Sequence, residues 1–181
     1  SSAASDVYKR QFLCCESSNH SDLRSVPRND YSIDSVKSML TRNDFYDSNL
    51  HTTGLGFENE FKVWSSGRYV ADEASGLRWE GAGSKVLMSY NRALSYIDVL
   101  NQLHTDRLDQ PISGYGRWRL PTLEEAMTLL EPEKSESGLH IDSVFNRRQT
   151  KIWTSDWEAP TKAWEFPKTA WYVDFDSGHC S

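Results

Sequence analysis

The chain has little to brace it covalently or anchor it: three cysteines, six prolines and three methionines in 181 residues, and no apolar run long enough to cross a bilayer. Cys14 and Cys15 are adjacent near one end and Cys180 lies one residue from the other. Neither a disulfide framework nor a metal-ligand spacing can be read from them, and the redox compartment stays open. Positive charge is in the minority, with 20 Lys and Arg against 26 Asp and Glu and a net charge of −6. Such a chain repels a phosphate backbone on average, which argues against non-specific nucleic-acid binding. Internal repeats, coiled-coil heptads and long low-complexity stretches are also missing.

Aromatic residues are what the chain has in quantity. Seven Trp, eight Tyr and seven Phe supply a core for a single domain with an N-terminal extension. The first eleven residues, SSAASDVYKRQ, back-translate codon for codon into a common transposase sequencing adapter and are set aside as an artefact. Phe12 is then an arbitrary start within a longer reading frame. Without Asp6, Lys9 and Arg10, which together contribute +1, the remainder carries −7.

Residues 12–30 are polar and aperiodic, and a flexible lead-in is expected there. A helical and irregular extension is expected over 31–66. In it Ser32 can cap, Asp34 favours the first turn, and Ile33, Val36, Met39 and Leu40 share one face. Phe45, Tyr46, Phe57 and Phe61 anchor the connector that follows. The main domain is expected over 67–181. Its first part, RYVADEASGLRWEG, reads as a hairpin turning at 72–76 with Val70, Leu77 and Trp79 inward. A helix follows, with Ser89 as cap and Tyr90, Ala93, Leu94, Ile97 and Leu100 at spacings of three and four.

Residues 114–126, GYGRWRLPTLEEA, concentrate the local signals. A brief strand over 117–120, holding Trp118 and Arg119, ends at Pro121. Thr122 followed by Glu125 is a capping box for a helix that shows Leu123, Ala126, Met127 and Leu130 to the core and stops before Pro132. Arg119 is expected to be buried beside the capping carboxylate, and adjacent Glu124 and Glu125 to face different ways. Two more strands are expected at KIWTSD and TAWYVDFDSG, the second alternating Trp171, Val173 and Phe175 with Tyr172, Asp174 and Asp176. Because the chain stops at Ser181 straight after a turn-like DSGHC, the last sheet is expected to lack a strand.

Trp79, Trp118, Trp153 and Trp171 read as core. Trp157 and Trp164 fall in WEAPTKAWEFPK, a proline-containing loop where burial is hard to complete, and sugar rings stack on exposed aromatic faces. Arg147, Arg148, Lys151, Lys162 and Lys168 against Asp156, Glu158 and Glu165 leave a local excess of +2, which suits a sulfated or carboxylated glycan. Trp157, Trp164, Lys151, Lys162 and Lys168 are therefore the candidate ligand site. The five histidines are scattered without a nucleophile partner, and Asp174 and Asp176 read as a solvated face. No catalytic residue, metal or cofactor is expected.

Taken in order, VADEASGLRWEG, ALSYIDVLNQL, GYGRWRLPTLEEAMTLL, IDSVF, IWTSD and AWYVDFDSG resemble the Lcl C-terminal domain family, named for the globular head of a bacterial collagen-like adhesin. The resemblance runs from about Val70 to Cys180, and residues 31–61 resemble an extension that precedes the domain in some bacterial members. It implies an α+β fold, a C-type-lectin-like variant with two main helices packed on small antiparallel sheets. It also implies a non-catalytic binding domain of a bacterial exported or surface protein. The adhesin member binds sulfated glycosaminoglycans and forms trimers, so the implied partners are a glycan or a protein and further copies of the chain. Nucleic acid is not among them, nor is a membrane segment implied. The Glu-Pro-Asn or Gln-Pro-Asp loop and the Trp-Asn-Asp strand of calcium-dependent lectins are missing. RLPT also resembles the RLPTEAEWE segment of formylglycine-generating enzymes, whose chemistry needs a pair of copper-binding cysteines where this domain has Cys180 alone. A sensor or scaffold module of a larger protein is the third reading.

Overall fold

The computed structural model describes residues 14–16, 23–64, 69–106, 117–160 and 169–181. In chain order the elements are β1 (Cys14–Glu16), α1 (Ile33–Arg42), β2 (Phe61–Trp64), β3 (Tyr69–Asp72), β4 (Leu77–Glu80), α2 (Tyr90–Asp106), α3 (Leu123–Met127), β5 (Lys151–Trp157), β6 (Ala170–Asp174) and β7 (His179–Cys180). The architecture is α+β, with few helices and two small antiparallel sheets, ordered β1-β4-β3-β2 and β5-β6-β7.

The β3–β4 hairpin turns where Asp, Ser and Gly cluster in the sequence. Gly76 adopts a positive φ of 70°, and the Asp72 carboxylate accepts the amides of Glu60, Ala74 and Ser75, so the turn's donors are satisfied without the sheet. Helix α1 begins at Ser32, whose hydroxyl accepts from the Ser35 amide, and buries Val36, Met39 and Leu40. Ile33, expected on that face, is exposed at the first position, where the helix has not yet reached its neighbours.

The same strands feed two cores, because successive side chains on a strand point to opposite faces. Val70, Leu77, Trp79, Ile152, Trp171 and Val173 join α1, Phe45 and α3 in the larger cluster. Tyr69, Trp153 and Ala170 pack with Trp118 and with Ala93 and Ile97 of α2 in the other. All four tryptophans read as core are buried, divided between the two clusters. Leu94, expected inward on α2, is instead exposed.

Three further segments differ from the sequence reading. Residues 23–30, the end of the expected flexible lead-in, are held against the domain, and Cys14–Glu16 pairs with β4. A polar stretch has no periodicity by which its docking could be seen, since its partners lie 98 to 132 positions away. Residues 117–120 form no strand beyond a bridge at Arg119. Helix α3 ends at Met127 and runs on as i→i+3 turns through Leu130, rather than staying helical up to Pro132.

Candidate functional site

Thr122 is where the structure around the site begins. Its hydroxyl accepts from the Glu125 amide at 3.2 Å, and Glu125 returns a carboxylate oxygen to the Thr122 amide at 2.7 Å. Arg119 then forks onto the same carboxylate at 2.7 and 2.6 Å and donates to the Leu120 carbonyl. Its side chain is half-buried and pinned, not projecting into an open cleft. Trp118, its neighbour, stacks on Tyr69 with ring centres 5.6 Å apart. Pro121 accepts the Ser155 amide at 2.7 Å, so the whole corner lies along the outer edge of β5.

Asp156, one position further on β5, organises what lies beside that corner. It shares the inward face with Ile152 and Thr154 and is fully buried. Its oxygens accept the Leu123 amide at the start of α3 at 2.7 Å, the Arg28 amide at 2.7 Å, and the Arg24 guanidinium at 2.9 and 2.6 Å. A buried carboxylate needs such partners, and the N-terminal segment supplies most of them. The Thr122 hydroxyl donates to the Arg24 carbonyl at 2.7 Å, fixing that segment from the other side. Glu124, pointing away from Glu125, accepts Arg42 of α1 at 3.2 Å through both oxygens.

Between this segment and α1 lies a cleft of about 590 Å³, lined by Arg24, Arg28, Arg42, Tyr31, Asp34, Ser35, Ser38, Met39 and Glu124. Ser35, Ser38 and Arg42 recur at three and four residues, so the spacing of α1 presents two hydroxyls and a guanidinium to it. Arg24 and Arg28 flank the Tyr31 ring at 4.9 and 5.2 Å. Arg24 is matched by Asp156 and Arg42 by Glu124, whereas among the described residues no ion pair involves Arg28. Burial would weaken the protonation of Arg24, but the hydrogen bonds and charge of Asp156 outweigh it and hold its pKa above the ordinary value. Burial likewise raises the Tyr31 phenol, against the pull of Arg24. Arg24 therefore stays charged and the Tyr31 phenol neutral at physiological pH.

A family model for the Lcl C-terminal domain matches residues 68–181, more than half of the chain. The chain belongs to the Lcl C-terminal domain family. No curated protein and no solved structure matches it. Glu124, which lines the cleft, and Asp156, which holds Arg24, lie inside the Lcl C-terminal domain, while among the described residues the arginines that pair with them come from the residues before it, as does the cleft's other carboxylate, Asp34.

The ligand site expected from the sequence is only partly within view, since Trp164, Lys162 and Lys168 lie outside the described residues. Trp157 is the last residue of β5, not part of a loop, and its half-buried ring packs edge-on against Tyr90 at 4.9 Å. Lys151 begins the same strand, about 20 Å away at 3.3 Å per residue, and is tied to Asp174 at 2.7 Å. The Lcl C-terminal domain thus does not bring these two together. The cleft residues went unseen because their convergence is tertiary. One signal was present: an aspartate on the inward face of a β-branched strand demands a partner. Among the described residues no group of three His, Cys, Asp or Glu is placed to hold a metal, and no helix is long and apolar enough to cross a membrane.

Proposed function

We propose that this Lcl C-terminal domain is a non-catalytic binding module of C-type-lectin-like architecture, carried by a bacterial exported or surface protein, and that it takes an acidic glycan in the cleft beside α1. The observation that carries the reading is the convergence of two outward guanidinium groups with the hydroxyls of α1. Arg28 flanks Tyr31 outside any described ion pair, and Arg42 keeps its side chain 64 % exposed beside the hydroxyls of Ser35 and Ser38. Guanidinium forks suit sulfate and carboxylate, and hydroxyls suit sugar oxygens. Adhesion is the use such binding serves.

The test is chromatography of the chain from Phe12 onward on heparin, together with a glycan array, for the wild type and for Arg28→Ala combined with Arg42→Ala. Salt-dependent retention of the wild type that the double variant loses is the expected result. No retention at low salt and no array signal removes the glycan reading, and retention that the double variant keeps removes this cleft.

A further inference from the structure

We infer that the outer edge of β5, with Asp156, Glu124 and Thr122, is a docking groove for an extended protein segment bearing an arginine, and that residues 24–31 of this chain occupy it in cis. Arg24 is recognised at every polar group it has in that position. Its guanidinium meets both Asp156 oxygens, its carbonyl accepts from Thr122, its amide reaches Glu124 at 3.4 Å, and the Tyr31 ring lies 4.9 Å from its charge. A lysine ammonium cannot make the two parallel bonds of that fork.

Backbone pairing takes over four residues later. The Arg28 carbonyl accepts from the Trp157 amide at 2.8 Å, the Tyr31 amide donates to the Trp157 carbonyl at 3.0 Å, and Tyr31 bridges Glu158 in parallel. β5 is the edge strand of its sheet, with β6 on one side only. An extended peptide that adds to a sheet edge gains affinity from main-chain bonds and specificity from a side-chain pocket, and both are present here.

Two observations set this groove apart from ordinary core packing. The receiving groups belong to the family-matched residues 68–181, while the occupant precedes them. Residues 26–30 of the occupant are exposed, Val26 by 70 %, and of residues 24–31 only Tyr31, at the end next to α1, is anchored in a core. A tethered occupant competes at an effective concentration on the order of mM, and a partner's apparent affinity falls by the fraction of groove left open. Arg24→Glu sets a third carboxylate against Asp156 and Glu124 and expels the segment. The groove stands whether or not the cleft binds a glycan.

A fluorescent peptide with the sequence of residues 23–32, and the same peptide with lysine in place of its first arginine, test the inference on the full chain. The arginine peptide is expected to bind the Arg24→Glu chain about tenfold or more tighter than the wild type, and the lysine peptide to bind it about tenfold or more weaker. An Arg24→Glu chain with wild-type circular dichroism that binds neither peptide, or both equally, overturns the groove. Should that variant not fold, hydrogen exchange of the wild type decides. The Trp157 amide, bonded to Arg28, is expected to exchange by local opening well before the Phe175 amide, bonded to Thr150. Equal protection of the two overturns it.

Discussion

Arg24 and Asp156 stand 132 positions apart in sequence and meet as a two-bond fork, the carboxylate without exposure and the guanidinium 22 % exposed. One ion pair therefore joins the N-terminal segment, the β5 edge and the start of α3, because Asp156 also holds the Leu123 amide. Removing either partner leaves the other stranded. Asp156→Ala is expected to cost about 3 kcal/mol in urea unfolding, and Arg24→Ala a similar amount because it leaves a buried carboxylate uncompensated. The double variant should cost less than the sum of the two. Strict additivity would show that the pair is not coupled.

Thr122 does two things with one hydroxyl, accepting at the cap and donating to Arg24. Thr122→Ala is expected to lower stability by about 1–2 kcal/mol, and Thr122→Ser by a fraction of that, since serine keeps both bonds. Equal losses for the two would place the cost in the missing methyl group.

Lys151 and Asp174 give a pH signature. For Asp174, burial works against the charged form, but hydrogen bonds from Lys151 and Ser177 and the Lys151 charge outweigh it, so its pKa lies below the ordinary carboxylate value. A depressed pKa contributes stability above the unfolded value of about 3.9, and that contribution is lost as pH falls through the folded value. The hydrogen bond to Asp174 raises Lys151 against its partial burial, so its contribution disappears only as pH rises through the lysine range. Lys151→Met should then cost at most about 1 kcal/mol at neutral pH, given a half-exposed lysine, and nothing in strong acid. Unfolding midpoints of the two proteins from pH 7 down to 2 check this, and a gap that widens in acid contradicts it.

Cys180 is buried, and burial with the nearby Asp47 charge pushes its thiol well above the ordinary value. Native protein treated with iodoacetamide at neutral pH should leave the Cys180 peptide unmodified, and denatured protein should label it fully. Rapid native labelling, read by peptide mass mapping, would show that this end of β7 opens.

The hairpin around Gly76 and the capped start of α3 were legible because each is set within about ten residues, by turn chemistry or capping, whereas β6 is covered on both faces and Asp174, expected on a solvated face, is buried and held by Lys151. The cleft was not legible. Arg24, Arg42 and Glu124 carry no mutual spacing, and the polar stretch that holds Arg24 looks the same in sequence whether it is free or docked.

By itself the sequence determined the local elements, the aromatic core residues and the family, since these follow from short-range pattern and from motifs in fixed order. Only the tertiary structure decided that one strand face feeds each of two cores, that Trp157 and Lys151 stand at opposite ends of β5, and that a buried aspartate captures an arginine 132 positions earlier. The reason is physical. Burying Asp156 makes a partner obligatory, but which cation answers depends on where the folded chain brings its arginines.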